Sequence, residues 1–313
     1  MQAESIFYSV IIPHYNSPKL LERCLASIPD REDIQVIIVD DCSSPEKVDF
    51  AHLPGRERHN TEIYRTRQGG SAGHARNLGL THAKGEWLLF ADADDYFEKD
   101  AWSIIDEYKY DKADIVFFGT TSRISDTGEI ANRQAHFMKL ILQYNPNDKE
   151  TENLLRFCYY APWSKLIRRE IVEKHHVQFE EIRYANDVMF SMYTSLYAGT
   201  IAVEVRPIYC ITEVYGSLTN IMNERSMTMR YEVYLRRNQL LRQNGYQRYQ
   251  ISTLFYLRKG LKQYGLKTFL NLLYIAWKYK NNPFIGLGDV ILHPIKHIRA
   301  KEDSSYAKYE THA

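Results

Sequence analysis

Three aspartates fall within four residues, Asp92, Asp94 and Asp95, in the stretch "GEWLLFADADDYFEKD" that runs from Gly85 to Asp100. They follow an apolar run, Trp87 to Ala91, that reads as a buried strand. Carboxylates at this density repel one another, so a chain that keeps them together needs a compensating positive charge. Hard divalent cations such as Mn²⁺ and Mg²⁺ prefer carboxylate oxygen, and Mg²⁺ often completes its shell with substrate phosphates. Ala93 separates Asp92 from Asp94, so in an extended chain both carboxylates point to one side. The chemistry this pattern suits is a divalent metal shared with a phosphate-bearing substrate.

Two further polar clusters end apolar runs: "PHYN" (Pro13 to Asn16) and "VDDCSS" (Val39 to Ser44). In a parallel sheet these strand ends share a rim, which would gather Asp40, Asp41, Asp92, Asp94 and Asp95. Asp and Ser after a strand also cap helices, and that reading stays open for "DDCSS" taken alone. The loop "GGSAGHARNLG" (Gly69 to Gly79) places glycines at a helix start, where backbone can approach an anion closely. Its Arg76 could contact a diphosphate or stabilise the strand-end aspartates. The loop is neither a P-loop nor a dinucleotide fingerprint, because the required order of glycine and lysine is missing.

The elements that must position these residues alternate. "YSVIIP" and "IQVIIVDD" are continuous and β-branched, as in strands buried on both faces. "SPKLLERCLASI" reads as a helix, with Ser17 as cap, Pro18 in the first turn and an apolar stripe of Leu20, Leu21, Cys24, Leu25 and Ile28. A strand near Glu62–Thr66, a helix through "HARNLGLTHA" and the strand "EWLLFA" follow. The pattern predicts an α/β fold, a mainly parallel Rossmann-like sheet flanked by helices, with ligands at the carboxyl ends of the strands. Farther on, "ADIVFFGTTSRIS" reads as a strand, "LIRREIVEKHH" and "NDVMFSMYTSLYA" as helices, and "TIAVEVRPIYCITEV" as a strand or hairpin interrupted at Pro207.

Composition sets the frame. A chain of 313 residues with 44% hydrophobic and 25% charged residues is long enough for one large domain or two. Its net charge of +1 argues against a nucleic-acid partner. From Arg230 onward, 15 Lys+Arg face 5 Asp+Glu, a surplus of +10 that leaves about −9 on the first 229 residues. The four cysteines are scattered, with no Cys-x-x-Cys pair, which suits a reducing compartment. No signal-peptide pattern opens the sequence, and "TFLNLLYIAW" has half of the roughly twenty residues that cross a bilayer. These features predict a cytoplasmic protein, peripheral to a membrane at most.

The blocks "SVIIPHYNSPKLLERCLASI", "VIIVDDCSS" and "GGSAGHARNLGLTHAKGEWLLFADADD" together resemble the opening of family 2 glycosyltransferases of the GT-A fold. A later block, "APWSKLIRREIVEKHHVQFEEIRYANDVMF" (Ala161 to Phe190), resembles the acceptor half of that family. The resemblance implies an inverting transfer from a nucleoside diphosphate sugar, most often a uridine diphosphate sugar, with Mn²⁺ or Mg²⁺. The acceptor it implies is a saccharide or a lipid-linked species of a bacterial surface polysaccharide. It makes Asp92-Ala93-Asp94 the Asp-x-Asp motif, with Asp94 as direct metal ligand and Asp92 at the metal or the ribose. Pro13, Tyr15 and Asp41 match positions lining the nucleotide pocket, and Arg76 matches the arginine of "ARN". Asp187 matches the general base, although Asn186 stands where the family has Glu, leaving proton abstraction to Asp187 and acceptor positioning to Asn186. Trp163 in "APWSK" is a candidate for stacking on the acceptor, and Trp87 and Trp102 are candidates with a core role favoured for the first. His14 lies where it could approach the nucleotide.

The implied layout is a catalytic domain over residues 1–222, with a nucleotide-sugar half over 1–100 and an acceptor half over 101–222. A helical, basic extension over 223–313 follows. Two rival readings share part of the pattern: a metal-dependent nucleotidyltransferase, which would need a basic glycine-rich segment after the first strand, and a non-catalytic carbohydrate-binding protein retaining the fold. In the extension, Phe269, Leu272, Leu273, Ala276 and Trp277 fall on one helical face, with Lys267, Lys278 and Lys280 near its ends. That face can lie on an anionic membrane or pack against the catalytic domain.

Overall fold

The computed structural model describes residues 6–213 and 222–287. The chain divides into two compact units, Met1–Val214 and Tyr215–Ala313, where the sequence suggested a boundary between residues 222 and 223.

The first unit is built on one eight-stranded sheet. Its strands are β1 (Tyr8–His14), β2 (Ile34–Asp40), β3 (Thr61–Arg65), β4 (Trp87–Phe90), β5 (Tyr96–Phe97), β6 (Ile115–Ile124), β7 (Lys165–Arg168) and β8 (Ile201–Glu213), in spatial order β3-β2-β1-β4-β7-β6-β8-β5. The β2/β1/β4 centre is buried throughout, apart from a partly exposed Pro13, as the continuous apolar runs require. Burying one such Val or Ile stabilises the fold by about 1.5–3 kcal/mol. Pairings among β3, β2, β1 and β4 are parallel, and so is β6 with β8. The short strands β7 and β5 run against their neighbours. The sheet is therefore mixed, with six strands in one direction, and the ends of β1, β2, β4, β6 and β8 share a rim with the start of β7.

The antiparallel β7 corrects a sequence expectation. "LIRREIVEKHH" does not begin as helix: Leu166 and Ile167 are ladder residues between β4 and β6, and helix α6 starts only at Arg169. β8 is one strand rather than a hairpin. It bulges before Pro207, where the register against β6 shifts at Gly119. A Cβ at Gly119 would sit 2.2 Å from the Val205 carbonyl oxygen, so the bulge presses backbone onto backbone there.

Helices cover the sheet: α1 (Pro18–Ala26), α2 (Ala72–Leu80), α3 (Ala101–Glu107), α4 (Ala135–Gln143), α5 (Lys149–Cys158), α6 (Arg169–Lys174) and α7 (Val188–Tyr197). Pro18 opens α1 as expected, and Leu21, Cys24 and Leu25 are its buried stripe, but Ser17 makes no side-chain cap. The Ser17 amide donates to His14 Nε2 instead.

The second unit holds α8 (Glu224–Gln243), α9 (Leu254–Lys259) and α10 (Gly265–Lys278), with a π-helical segment at Gly260–Tyr264. Met227, Tyr231, Leu235, Leu257, Leu272 and Ala276 form its core. The apolar face expected on α10 is divided in the structure. Leu272 and Ala276 are fully buried, whereas Trp277 is 73% exposed. Among the described residues, no helix is long and apolar enough to cross a membrane.

Candidate functional site

The acidic stretch is a turn, not an extended segment. β4 ends at Phe90, and the Asp95 amide donates to the Asp92 carbonyl oxygen over 3.0 Å. This turn, rather than strand alternation, brings the carboxylates of Asp92, Asp94 and Asp95 within 4.8 Å of one another. The turn is held from behind by β8. Thr212 donates its hydroxyl to the Asp94 carbonyl oxygen and its amide to Asp95 Oδ1. Arg23 of α1 donates to the same Asp94 carbonyl, and Arg133 donates to the Thr212 carbonyl oxygen over 2.7 Å. Asp95 is thus a buried pin, 3% exposed, while Asp92 and Asp94 stay half-buried at the rim.

Burial and mutual repulsion act together on these carboxyls. Burial, then the charge of Asp92, pushes Asp94 up to about 6. Burial, then Asp94 and Asp92, raises Asp95 well above the ordinary carboxylate range. Three carboxylate oxygens this close are a donor set of the hard, oxygen-only kind that suits Mg²⁺ or Mn²⁺, and a bound dication would relieve their repulsion.

Arg76 of α2 joins this turn to the loop before α7. Its guanidinium is buried and donates one arm to Asp92 Oδ1 and the other to Asn186 Oδ1, the latter over 2.9 Å. The cation lies 5.2 Å from the Phe179 ring centroid. Close approach of α2 to the Asn186 loop depends on Gly73, where a Cβ would meet the Glu180 carbonyl oxygen at 2.2 Å and Asn186 Cβ at 3.1 Å. That glycine therefore serves chain packing rather than an anion. Gly70 has a third use: its amide donates to both Asp41 carboxylate oxygens, at 3.1 and 3.2 Å.

The bridge sets the neighbouring residue, Asp187. Asp187 occupies the N-cap position of α7 yet makes no side-chain cap bond, so the capping role open to an Asp there is not taken. Burial pushes its carboxyl up, against the opposing pull of Arg76. Asn186 is only 8% exposed: its oxygen takes the Arg76 hydrogen bond and its amide nitrogen donates to the Ile182 carbonyl oxygen. In this arrangement the Asn186 side chain positions Arg76.

The other expected residues divide. Pro13 and Tyr15 lie at the β1 end, with Tyr15 61% exposed. Asp41 takes hydrogen bonds from Thr66 Oγ1 at 3.0 Å and from Gly70, tying the glycine loop to β2. Asp40 does not join the acidic turn. It is fully buried, paired with His14 Nδ1 at 2.9 Å and with the Ser43 amide at 3.0 Å. Burial raises its carboxyl, but those hydrogen bonds outweigh the burial and hold it below the ordinary range. His14, 1% exposed, is likewise a structural residue.

Trp163 is buried in aromatic rings, stacked on Tyr209 at 5.7 Å with edges to Phe137 and Tyr159. Its ring is not presented at the rim. It supports the rim at one remove, because Tyr209 Oη accepts the Asp92 amide hydrogen bond over 2.8 Å. Trp87 and Trp102 are core residues as well, with indole N–H groups donating to Lys109 and Ser27 carbonyl oxygens.

Several supporting residues escaped sequence reasoning, a buried lysine first among them. Lys165, the first residue of β7, is 2% exposed, donates Nζ to the Tyr159 carbonyl oxygen over 2.7 Å, and lies over the Phe117 and Tyr159 rings. Burial holds its ammonium well below the usual lysine range, and its charge acts on Asp187. The only signal was a lysine opening the apolar run "KLI". Thr212, Arg23 and Arg133 carried no signal, because their roles depend on where β8 ends.

The model of glycosyl transferase family 2 matches residues 9–175, more than half of the chain. The chain belongs to that family. It is 26% identical over 224 residues to the uncharacterized glycosyltransferase EpsJ of Bacillus subtilis (strain 168), an alignment covering 70% of this chain and 64% of EpsJ. It is 29% identical over 206 residues to the poly(ribitol-phosphate) β-N-acetylglucosaminyltransferase TarS of Staphylococcus aureus (strain Mu50), covering 63% of this chain and 34% of TarS. The chain thus spans less than two thirds of the length of these relatives. The crystal structure of S. aureus TarS 1–349 in complex with UDP-GlcNAc superposes with a TM-score of 0.64 at 20% identity, covering 87% of this chain and 81% of that one. The fold is that of the GT-A glycosyltransferases, with the mixed sheet described above.

Proposed function

We propose that this family 2 member transfers a sugar from a uridine diphosphate sugar to a hydroxyl of a saccharide or lipid-linked acceptor, with inversion. The observation that carries the reading is the Arg76 bridge, which holds the Asp187 loop against the acidic turn. A metal-diphosphate site and an acceptor base need that juxtaposition. The donor class draws support from TarS, whose crystal structures include complexes with UDP-GlcNAc and with UDP.

Asp94 and Asp92 would hold Mn²⁺ or Mg²⁺, with Asp95 fixing the turn. When bound, the dication supplies charge stabilisation for the departing nucleoside diphosphate. Asp187 takes the proton of the acceptor hydroxyl as its oxygen attacks the anomeric carbon from the side opposite the leaving group. Burial raises its carboxyl, which makes it a stronger base than a solvated one, and Arg76 opposes that rise. Pro13, Tyr15 and Asp41 border the nucleotide, where the exposed Tyr15 ring can lie against a base. The rival nucleotidyltransferase reading draws no support, since "PHYNSPKLL" after β1 lacks a basic glycine-rich segment.

The test is release of nucleoside diphosphate from labelled nucleotide sugars with Mn²⁺ and with EDTA, and the anomeric configuration of the product by NMR. Metal-dependent release with inverted product is expected. Product of retained configuration, or undiminished turnover in EDTA, overturns the reading.

A further inference from the structure

Helix α10 has two apolar faces, and among the described residues only one is packed. Thr268, Leu272, Ile275 and Ala276 are buried in the second unit. On the opposite side Leu266, Leu270, Tyr274 and Trp277 recur at helical spacing and form one stripe. They are 62%, 54%, 60% and 73% exposed. The Tyr274 and Trp277 rings lie 5.9 Å apart. An exposed stripe of four large apolar side chains, two of them aromatic, marks a surface that something covers.

Charge identifies the occupant. Residues 233–287 contain ten Lys+Arg and not one Asp or Glu. Lys267 precedes Leu270 by three residues and Lys278 follows Tyr274 by four, so both border the stripe, and both are exposed. A second copy of this chain would bring the same positive charge against itself across an isologous contact. Tyr and Trp suit the boundary between apolar and aqueous phases, and lysine stems extend along apolar surface while the ammonium stays in water. A helix of 14 residues is about 21 Å long, too short to span a bilayer but able to lie along its surface.

We propose that α10 binds an anionic phospholipid surface through Leu266, Leu270, Tyr274 and Trp277, with Lys267 and Lys278 at the headgroups. This moves the contact from the face expected from sequence to an adjacent one that shares Trp277 with it. The proposal is independent of the sugar-transfer reading.

The chain has four tryptophans, and Trp87, Trp102 and Trp163 are at most 8% exposed. A change in tryptophan emission on adding vesicles therefore reports Trp277. The full chain is mixed with vesicles of phosphatidylcholine alone or with about one-third phosphatidylglycerol, at physiological and at high salt. The expected result is a blue shift and cosedimentation with the anionic vesicles only, weakened by salt. Lys267→Gln and Lys278→Gln should each weaken partitioning about fivefold. Leu270→Glu should abolish it while leaving the melting temperature and sugar transfer to a water-soluble acceptor unchanged. Trp277→Phe should lose the emission change yet still sediment.

Equal binding to both vesicle types overturns the electrostatic recognition, and binding to neither overturns the proposal. A concentration-dependent dimer that Leu270→Glu dissolves would make a second copy the occupant. A lowered melting temperature in Leu270→Glu would show that the stripe is packed within the protein. Either result overturns the lipid assignment.

Discussion

Asp92, Asp94 and Asp95 reach the rim inside a single turn, whereas Asn186 and Asp187 arrive from a loop more than ninety residues farther along the chain. The two sides are held differently. The acidic turn has its own backbone hydrogen bond and a second layer of support from Thr212, Arg23 and Arg133. The Asp187 loop is tied to the turn through the guanidinium of Arg76. A short local motif fixes the relative positions of its own carboxylates but nothing beyond them. The distance between metal-binding and base chemistry rests on a tertiary contact, so the two sides should fail differently.

The largest loss is expected at the acidic turn. Asp94→Asn keeps the shape but removes the charge that a dication needs, so transfer should fall to background and UDP affinity should no longer respond to Mn²⁺. Isothermal titration of UDP with and without Mn²⁺ checks this. Wild-type turnover in this variant would remove Asp94 from the metal site.

On the other side, Asp187→Asn should lower kcat by about 10²–10⁴-fold, the usual cost of a missing general base. Donor affinity should stay within a factor of two or so, because the acidic turn does not lean on this carboxylate. The pH profile sharpens the assignment. A base works only when deprotonated, so kcat should fall as pH drops through its pKa. Since burial raises the Asp187 carboxyl, that acid limb should lie above the ordinary carboxylate range near 4. An acid limb at or below that range would point to a solvated base elsewhere.

Breaking the link between the sides should show an intermediate, mixed phenotype. Arg76→Lys keeps a positive charge but has no fork to serve Asp92 and Asn186 at once. A displaced base costs up to about 10²-fold in rate. Asn186→Ala removes only the second arm and should cost about tenfold, chiefly in kcat. An effect confined to the acceptor KM would instead return Asn186 to acceptor positioning.

The same contrast explains what could be read from the amino-acid sequence. β1, β2 and β4 announce themselves as β-branched or apolar runs, and the acidic cluster is visible because its members are adjacent. Even there the local geometry was misjudged, since the residues after Phe90 turn rather than extend. β7 was hidden in a helical pattern: Leu166 and Ile167 sit in an antiparallel ladder that only the partner strands β4 and β6 create. Asp40 and Asp41 look equivalent in "VDDCSS", yet one is buried against His14 and the other binds Gly70. Trp163 looked like surface chemistry in "APWSK", and packing placed it in the interior, where Lys165, which carried no such reading, is buried as well. On α10, the periodicity of apolar residues marked the helix but not which of its two apolar faces the core would take.

The smallest expected effect concerns stability without metal, and its sign separates the two sides once more. The Asp94 carboxyl is raised to about 6, first by burial and then by Asp92. A group whose pKa is higher in the folded state is favoured there in its protonated form. Its stabilising contribution is therefore present in acid and is lost as pH rises through about 6. In EDTA the melting temperature should decline over that interval, and added Mn²⁺ should restore it by binding the folded state alone. Asp94→Asn cannot ionise, so in EDTA at pH 7.5 it should melt roughly 2–4 °C above wild type, the shift that about 1 kcal/mol gives a domain of this size. The same variant should lose the Mn²⁺ response. Asp187→Asn should keep that response, because Asp187 stands outside the trio of mutually repelling carboxylates. If Asp94→Asn instead melted lower in EDTA, the Asp94 carboxylate would be a stabilising structural group, and the repulsion that motivates a metal at this turn would be absent.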